Sequence, residues 1–178
     1  ALGLRAHGRS EYTDEELISI IDQAALSGGV LLYNSKVEYD SFKLKLVQSV
    51  RTLLSIILDN KLKVFDCEHY IEVDLPDIIE EDGTVRSIGR FNARIDLLLQ
   101  DEKDDFVVLD LKWSESSRYH TKIRNQEDLQ LVLYANALEV AYPEHKVLGC
   151  GYYVIPQCVI ETRESFFCFM DHANYYDL

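Results

Sequence analysis

The sequence predicts an α/β fold in which a central mixed sheet is flanked by helices, with extra helices at the front. Three observations carry that expectation. Apolar residues recur first at helical spacing, then at a period of two through three successive segments, then at helical spacing again before two more β-rich runs. A short charged connection over 100–105 suits a hairpin between the second and third strands, whereas the long helix after the third strand permits a parallel crossover. A chain of 178 residues, 47% hydrophobic with three prolines, can build a full core and is too apolar for disorder. No repeat, low-complexity tract or linker divides it, so 1–178 reads as a single domain, with a helical part over 1–60 and a core over 64–170.

The first helix is announced by Thr13, Asp14, Glu15 and Glu16, a capping box in which the Thr13 hydroxyl and the Glu16 carboxylate each accept a backbone N–H of the other. Leu17, Ile20, Ile21 and Ala24 share one face, and Ser27, Gly28 and Gly29 end the element. A longer helix is expected over 39–58, where Phe42, Leu46, Val50, Leu53 and Ile57 form a continuous apolar stripe before Asn60. From Val64 the pattern alternates: Phe65, Cys67, His69, Ile71 and Val73 on one face, Glu68 among the acids on the other, until Pro76 and a Glu80 to Gly83 turn. The next strand, 88–99, sets Phe91, Ala93, Ile95, Leu97 and Leu99 against Asn92, Arg94 and Asp96. A third strand runs from Phe106 to Lys112, followed by a polar loop, a helix over 125–141 with Leu129, Leu133 and Ala137 on one face, and strands over 147–155 and 165–170. Residues 171–178 read as a frayed terminus.

The chemistry concentrates at the end of the third strand. Phe106, Val107, Val108 and Leu109 are apolar, yet Asp110 and Lys112 follow two positions apart, hence on one face. Glu68, Asp96 and Asp110 come from three successive strands, and neighbouring strands would bring their oxygens together. Hard cations such as Mg²⁺ or Mn²⁺ suit such a set better than zinc; without one, close carboxylates repel. Separate surface acids are the alternative reading. An ammonium at Lys112 could orient a water and neutralise charge developing at phosphorus.

Composition limits the partners. Eighteen basic against 31 acidic residues give a net charge of −13, which excludes a broad electrostatic grip on nucleic acid. Any such grip must be local, and Arg86, Arg90, Arg94, Lys112, Arg118, Lys122 and Arg124 crowd the proposed site, with Trp113, Tyr119 and Tyr134 available for stacking on bases. The four cysteines, Cys67, Cys150, Cys158 and Cys168, lack C-x-x-C spacing and read as reduced thiols of a cytoplasmic protein. Neither a leader peptide nor an apolar run of membrane-spanning length is visible, and the start at Ala1 suggests a domain of a longer protein.

Asp96, then Asp110-Leu111-Lys112, then Gln130 and Tyr134 spaced Q-x-x-x-Y resemble, in order, the motifs of the PD-(D/E)XK nuclease superfamily, in particular its RecB-like exonuclease branch. The resemblance spans about 68–134. It implies a restriction-endonuclease-like core of αβββαβ order and a Mg²⁺- or Mn²⁺-dependent deoxyribonuclease within a repair or recombination helicase-nuclease. It further implies metal ligation by Asp96, Asp110 and the Leu111 carbonyl, with Glu68 as the upstream acid, and catalysis by Lys112. Gln130 and Tyr134 would support the centre and contact DNA. The expected substrate is single-stranded or end-processed DNA, delivered by a helicase or other DNA-threading partner, and leaves as 5′-phosphate and 3′-hydroxyl products. Ala93 stands where the family often has glycine, and no iron-sulfur cysteine pattern is present. A nuclease-like fold kept for scaffolding or DNA binding without cleavage is the alternative.

Overall fold

The computed structural model describes residues 12–27, 35–74, 76–87, 89–163 and 173–176. Helix α1 (Asp14–Ser27) starts on its capping box: Glu16 N–H donates to Thr13 Oγ1 at 3.2 Å and Thr13 N–H to Glu16 Oε2 at 2.8 Å. Helix α2 (Lys36–Asp59) begins earlier than its apolar stripe indicates because Ser35 caps it, accepting from the Glu38 N–H at 3.2 Å. Ser35→Ala should therefore cost about 1 kcal/mol, read as a lower urea midpoint; an unchanged midpoint would show the cap to be idle.

The strands are β1 (Lys63–Asp74), β2 (Ile78–Ile79), β3 (Val85–Arg86), β4 (Arg90–Gln100), β5 (Phe106–Lys112), β6 (Val147–Val154), β7 (Val159–Arg163) and β8 (Ala173–Tyr176). Six form one sheet in the order β1-β4-β5-β6-β7-β8, while β2 and β3 make a small separate hairpin. β1, β4 and β5 run antiparallel in sequence, and β6 joins β5 in parallel after the crossover. This is the expected α/β class, a mixed sheet flanked by helices.

The crossover differs from expectation. Instead of one helix over 125–141 there are two, α3 (Ser116–Arg124) and α4 (Leu129–Ala141). Asn125 closes α3 through its N–H to the Thr121 carbonyl, and Gln126 then takes a left-handed backbone, φ 58°, that no helix can continue through. α4 buries Leu131, Tyr134, Ala137 and Leu138, while Leu129 is exposed, so the inward face is rotated from the expected one. β7 lies where no strand was expected, and residues 173–176, read as frayed, pair in parallel with β7. The strand expected over 165–170 lies outside the described residues, as does Cys168; Cys67, Cys150 and Cys158 are free thiols.

Two apolar cores cover the two faces of the sheet. α2 packs Leu53, Ile56 and Ile57 on Cys67, Leu97, Leu99, Val107 and Leu109; α3 and α4 pack Ile123, Leu131 and Leu138 on Ile71, Ile95, Leu98 and Val108. Ile95 and Leu97 thus face opposite cores, as do Cys67 and Ile71, although simple alternation places each pair on one side. Both strands switch faces at one level: at Glu68, whose φ is 56°, and at Asp96. A left-handed residue within a strand reorients the side chains beyond it, as a bulge does. Among the described residues no helix is long and apolar enough to cross a membrane.

Candidate functional site

β4 and β5 pair from Gln100↔Phe106 to Leu97↔Leu109 and then part. Continuing that register would set Asp96 opposite Asp110. In place of the next ladder bond, Asp96 Oδ2 accepts the Leu111 N–H at 2.8 Å. The Asp96 side chain therefore closes the base of a fork whose prongs are β4 and β5, satisfying a backbone donor that the parting strands would otherwise strand. The pairs Cys67↔Leu97 and His69↔Ile95 bring Glu68 to the same level on β1. Beyond β5 the register runs Asp110↔Tyr152↔Glu161↔Asn174, so one transverse row of polar residues crosses the whole sheet through the fork.

Asp110 is 2% exposed. Its Oδ1 accepts from Gln130 Nε2 at 2.9 Å, while the buried Oδ2 is held by the Lys112 ammonium in an ion pair. Burial raises the Asp110 carboxyl above its ordinary range; Lys112 pulls the other way and is outweighed, and Asp96 adds to the rise. For Lys112, burial works to lower the ammonium, but contact with Asp110 and the charges of Asp110 and Asp96 leave it raised.

Gln130 also donates to Tyr134 Oη at 2.8 Å, and Tyr134 O–H donates to the Arg94 carbonyl at 3.2 Å. The i,i+4 spacing on α4 thus becomes one chain of hydrogen bonds from Asp110 on β5 to the backbone of β4. Burial, opposed by the Gln130 contact, pushes the Tyr134 phenol up. Glu68 stands apart from this chain, its Oε2 3.6 Å from Arg94 Nη1. A cavity of about 180 Å³ lies on the α2 side between Leu46, Val50, Leu53 and Leu97, with Glu68, Asp96 and Leu111 in its wall.

The structure brings Asp96, Asp110, Leu111, Lys112, Gln130 and Tyr134 together at the fork, Asp96 bonded to the Leu111 N–H and Lys112, Asp110, Gln130 and Tyr134 linked in a chain of polar contacts. Among the described residues no group of three or more His, Cys, Asp or Glu side chains is spaced to hold a metal ion. The expected basic crowd is thinned on the β-ribbon: Arg86 pairs with Glu80, Arg90 with Glu72 and Asp74, and Arg94 with Glu68. Arg118, Lys122 and Arg124 instead lie on α3, a helix without a carboxylate, with Arg118 and Arg124 exposed. Tyr119 and Tyr134 are buried and unavailable to stack on bases; Trp113 is exposed but already rests against Phe42, ring centroids 4.7 Å apart.

Sequence reasoning missed Tyr152, and also Asp128 and Arg163. Tyr152 pairs in register with Asp110, and its ring lies under both Lys112 and Lys122. Asp128, fully buried just before α4, accepts a two-pronged contact from Arg163. Tyr152 could have been found only by aligning β6 with β5, and nothing in the sequence pairs Asp128 with Arg163.

The chain matches no curated protein. Residues 8–166 match the family model of the PD-(D/E)XK nuclease superfamily, whose members generally hydrolyse phosphodiester bonds and typically use divalent metals. The match covers most of the sequence and includes the whole β4–β5 fork, and the chain belongs to the PD-(D/E)XK nuclease superfamily.

Proposed function

We propose that the chain is a metal-dependent deoxyribonuclease domain of the RecB-like exonuclease branch, acting as the nuclease module of a DNA repair or recombination helicase-nuclease. The observation that supports this most is the chain Asp110–Gln130–Tyr134–Arg94 carbonyl, because it turns separate sequence motifs into one device that fixes the fork. The Asp110 carboxylate is held at both oxygens, by Gln130 at Oδ1 and by the Lys112 ammonium at Oδ2, and so is fixed beside Asp96 at the fork. The donor set of Asp96, Asp110, the Leu111 carbonyl and Glu68 is all hard oxygen, which fits Mg²⁺ or Mn²⁺. Such an ion, when bound, would activate water and stabilise charge at phosphorus.

The chain's own residues divide the remaining work. Gln130 fixes the Asp110 carboxylate, and Asp96 holds Leu111 in place through its N–H. Lys112, resting on Asp110, is the group that handles a proton or neutralises charge at the attacked phosphate. Arg118, Lys122 and Arg124 on α3 bind flanking phosphates. With a net charge of −13, the domain grips DNA only locally, at the fork and α3, and a helicase or other DNA-threading partner increases the supply of single-stranded or end-processed DNA to that local site.

The test is cleavage of labelled linear and circular DNA with Mg²⁺, Mn²⁺ or chelator. Wild type should degrade linear DNA with either metal, spare circles, and cut neither substrate in chelator. Asp96→Ala should cut slower by about 10²–10³-fold or more. Undiminished cutting by Asp96→Ala, or cutting in chelator, would sink the assignment.

A further inference from the structure

Lys122 was read above as one of three phosphate-binding groups on α3, and its place in the fold is more specific. Its Nζ lies 5.8 Å from the centroid of the Tyr152 ring, and Lys112 Nζ lies 6.0 Å from the same centroid. Both distances are at the reach of a cation–π contact. Tyr152 is itself fixed: it is wholly buried in the core under α3 and α4, stands in register with Asp110, and packs on Tyr119 at 4.8 Å between centroids. Its hydroxyl, though buried, makes no hydrogen bond. A tyrosine with an unused hydroxyl and two ammonium groups near its ring contributes through the ring.

We propose that Tyr152 is a positioning residue that holds Lys112 and Lys122 together, making Lys122 a second phosphate-binding ammonium inside the site. This rests on the nuclease reading. Two like charges gathered on one ring repel, and the carboxylate of Asp110 and the ring itself make that arrangement tolerable. A DNA strand passing the fork then meets a pair of ammonium groups. Lys112 faces the attacked phosphate and Lys122, one element away on α3, the next phosphate along.

The experiment is single-stranded DNA binding in chelator, titrated against salt, for wild type, Lys122→Ala, Tyr152→Phe, Tyr152→Leu and Lys122→Ala/Tyr152→Leu. Each phosphate contact on a single strand adds roughly 0.7 to the slope of log affinity against log salt. Lys122→Ala should lower the slope by about that amount, Tyr152→Leu should do the same, and the double variant should lose no more than either. Tyr152→Phe, which keeps the ring, should match wild type. An unchanged slope in Lys122→Ala, or additive losses in the double variant, overturns the proposal while leaving the nuclease reading to its own cleavage test. Wild type with no salt-dependent binding would bring down the DNA reading as well.

Lys122 is only partly buried on α3, so its variant keeps the test decisive even where Tyr152→Leu does not fold. A second readout is independent of binding: the Lys122 ε-methylene protons should be shifted upfield by the ring in wild type and in Tyr152→Phe. Unshifted protons would place the lysine elsewhere and overturn the proposal.

Discussion

Lys112→Ala is expected to abolish metal-dependent cleavage and also to destabilise the metal-free protein, increasingly so as pH rises. Its catalytic loss, about 10²–10³-fold or more, is what the proposed role of the ammonium against the developing charge requires. The stability effect follows from what stays behind. Asp110 is 2% exposed and Lys112 is the cation against its Oδ2. Removing one partner of a buried pair costs about 3–5 kcal/mol, and Lys112 is 26% exposed, which places the expected cost near the lower end, about 3 kcal/mol. The sign with pH is set by burial, which raises the Asp110 carboxyl above its ordinary value. A group raised on folding contributes stability that is fully present below its unfolded pKa and is lost as pH rises through its folded one. Lys112 limits that rise, so without it the folded value climbs and the loss extends further toward neutral pH. Asp110→Asn is the matching control: it too should lose cleavage, but urea midpoints in chelator at pH 5 and pH 8 should differ less than in wild type. Equal pH dependence in all three proteins would show that Asp110 does not carry this burden. Cleavage retained by Lys112→Ala would remove the lysine from the mechanism.

That a carboxylate disfavoured by its own burial occupies the centre of the sheet is the kind of local conflict expected at a functional site. It was legible in sequence because Asp110 and Lys112 interrupt an apolar run that otherwise has every mark of a core strand. Gln130 and Tyr134 were legible for a similar reason, since i,i+4 spacing on a helix places two polar groups side by side. α3 was not, because only Tyr119 and Ile123 of its nine residues reach the core, leaving too little periodicity to distinguish helix from loop. The face switch at Glu68 and Asp96 was hidden as well. Alternation in β1 and β4 continues unbroken through both residues in the sequence, yet a positive φ at Glu68 turns β1 over and β4 switches at the level of Asp96 beside it. The acidic ribbon is another tertiary effect: Arg86, Arg90 and Arg94 count as basic in sequence, yet each meets a carboxylate supplied by β1 or the β2–β3 hairpin.

Arg163→Ala should be among the most damaging single changes outside the fork, costing about 3–5 kcal/mol of stability and loosening the site from a distance. Asp128 is wholly buried, and Arg163, mostly buried itself, donates Nε to Asp128 Oδ2 at 2.8 Å and Nη2 to Oδ1. Truncating the arginine strands a carboxylate that water cannot reach. Asp128 immediately precedes α4, and its carbonyl accepts the first N–H groups of that helix, from Leu131 at 3.1 Å. The guanidinium therefore pins the start of α4 to β7, and Gln130 lies two residues further on, its amide on Asp110. A shift of the helix start moves Gln130 off the carboxylate it orients, so the variant should lose activity beyond what its unfolded fraction explains, measured at a temperature where it remains folded. Replacing both partners by apolar residues, Asp128→Leu with Arg163→Met, removes the stranded charge and should recover most of the stability. It should recover less of the activity, because the two-pronged contact that sets the helix is still missing. Full recovery of both would mean that the pair serves packing alone and that Gln130 takes its position from α4's apolar contacts with the sheet.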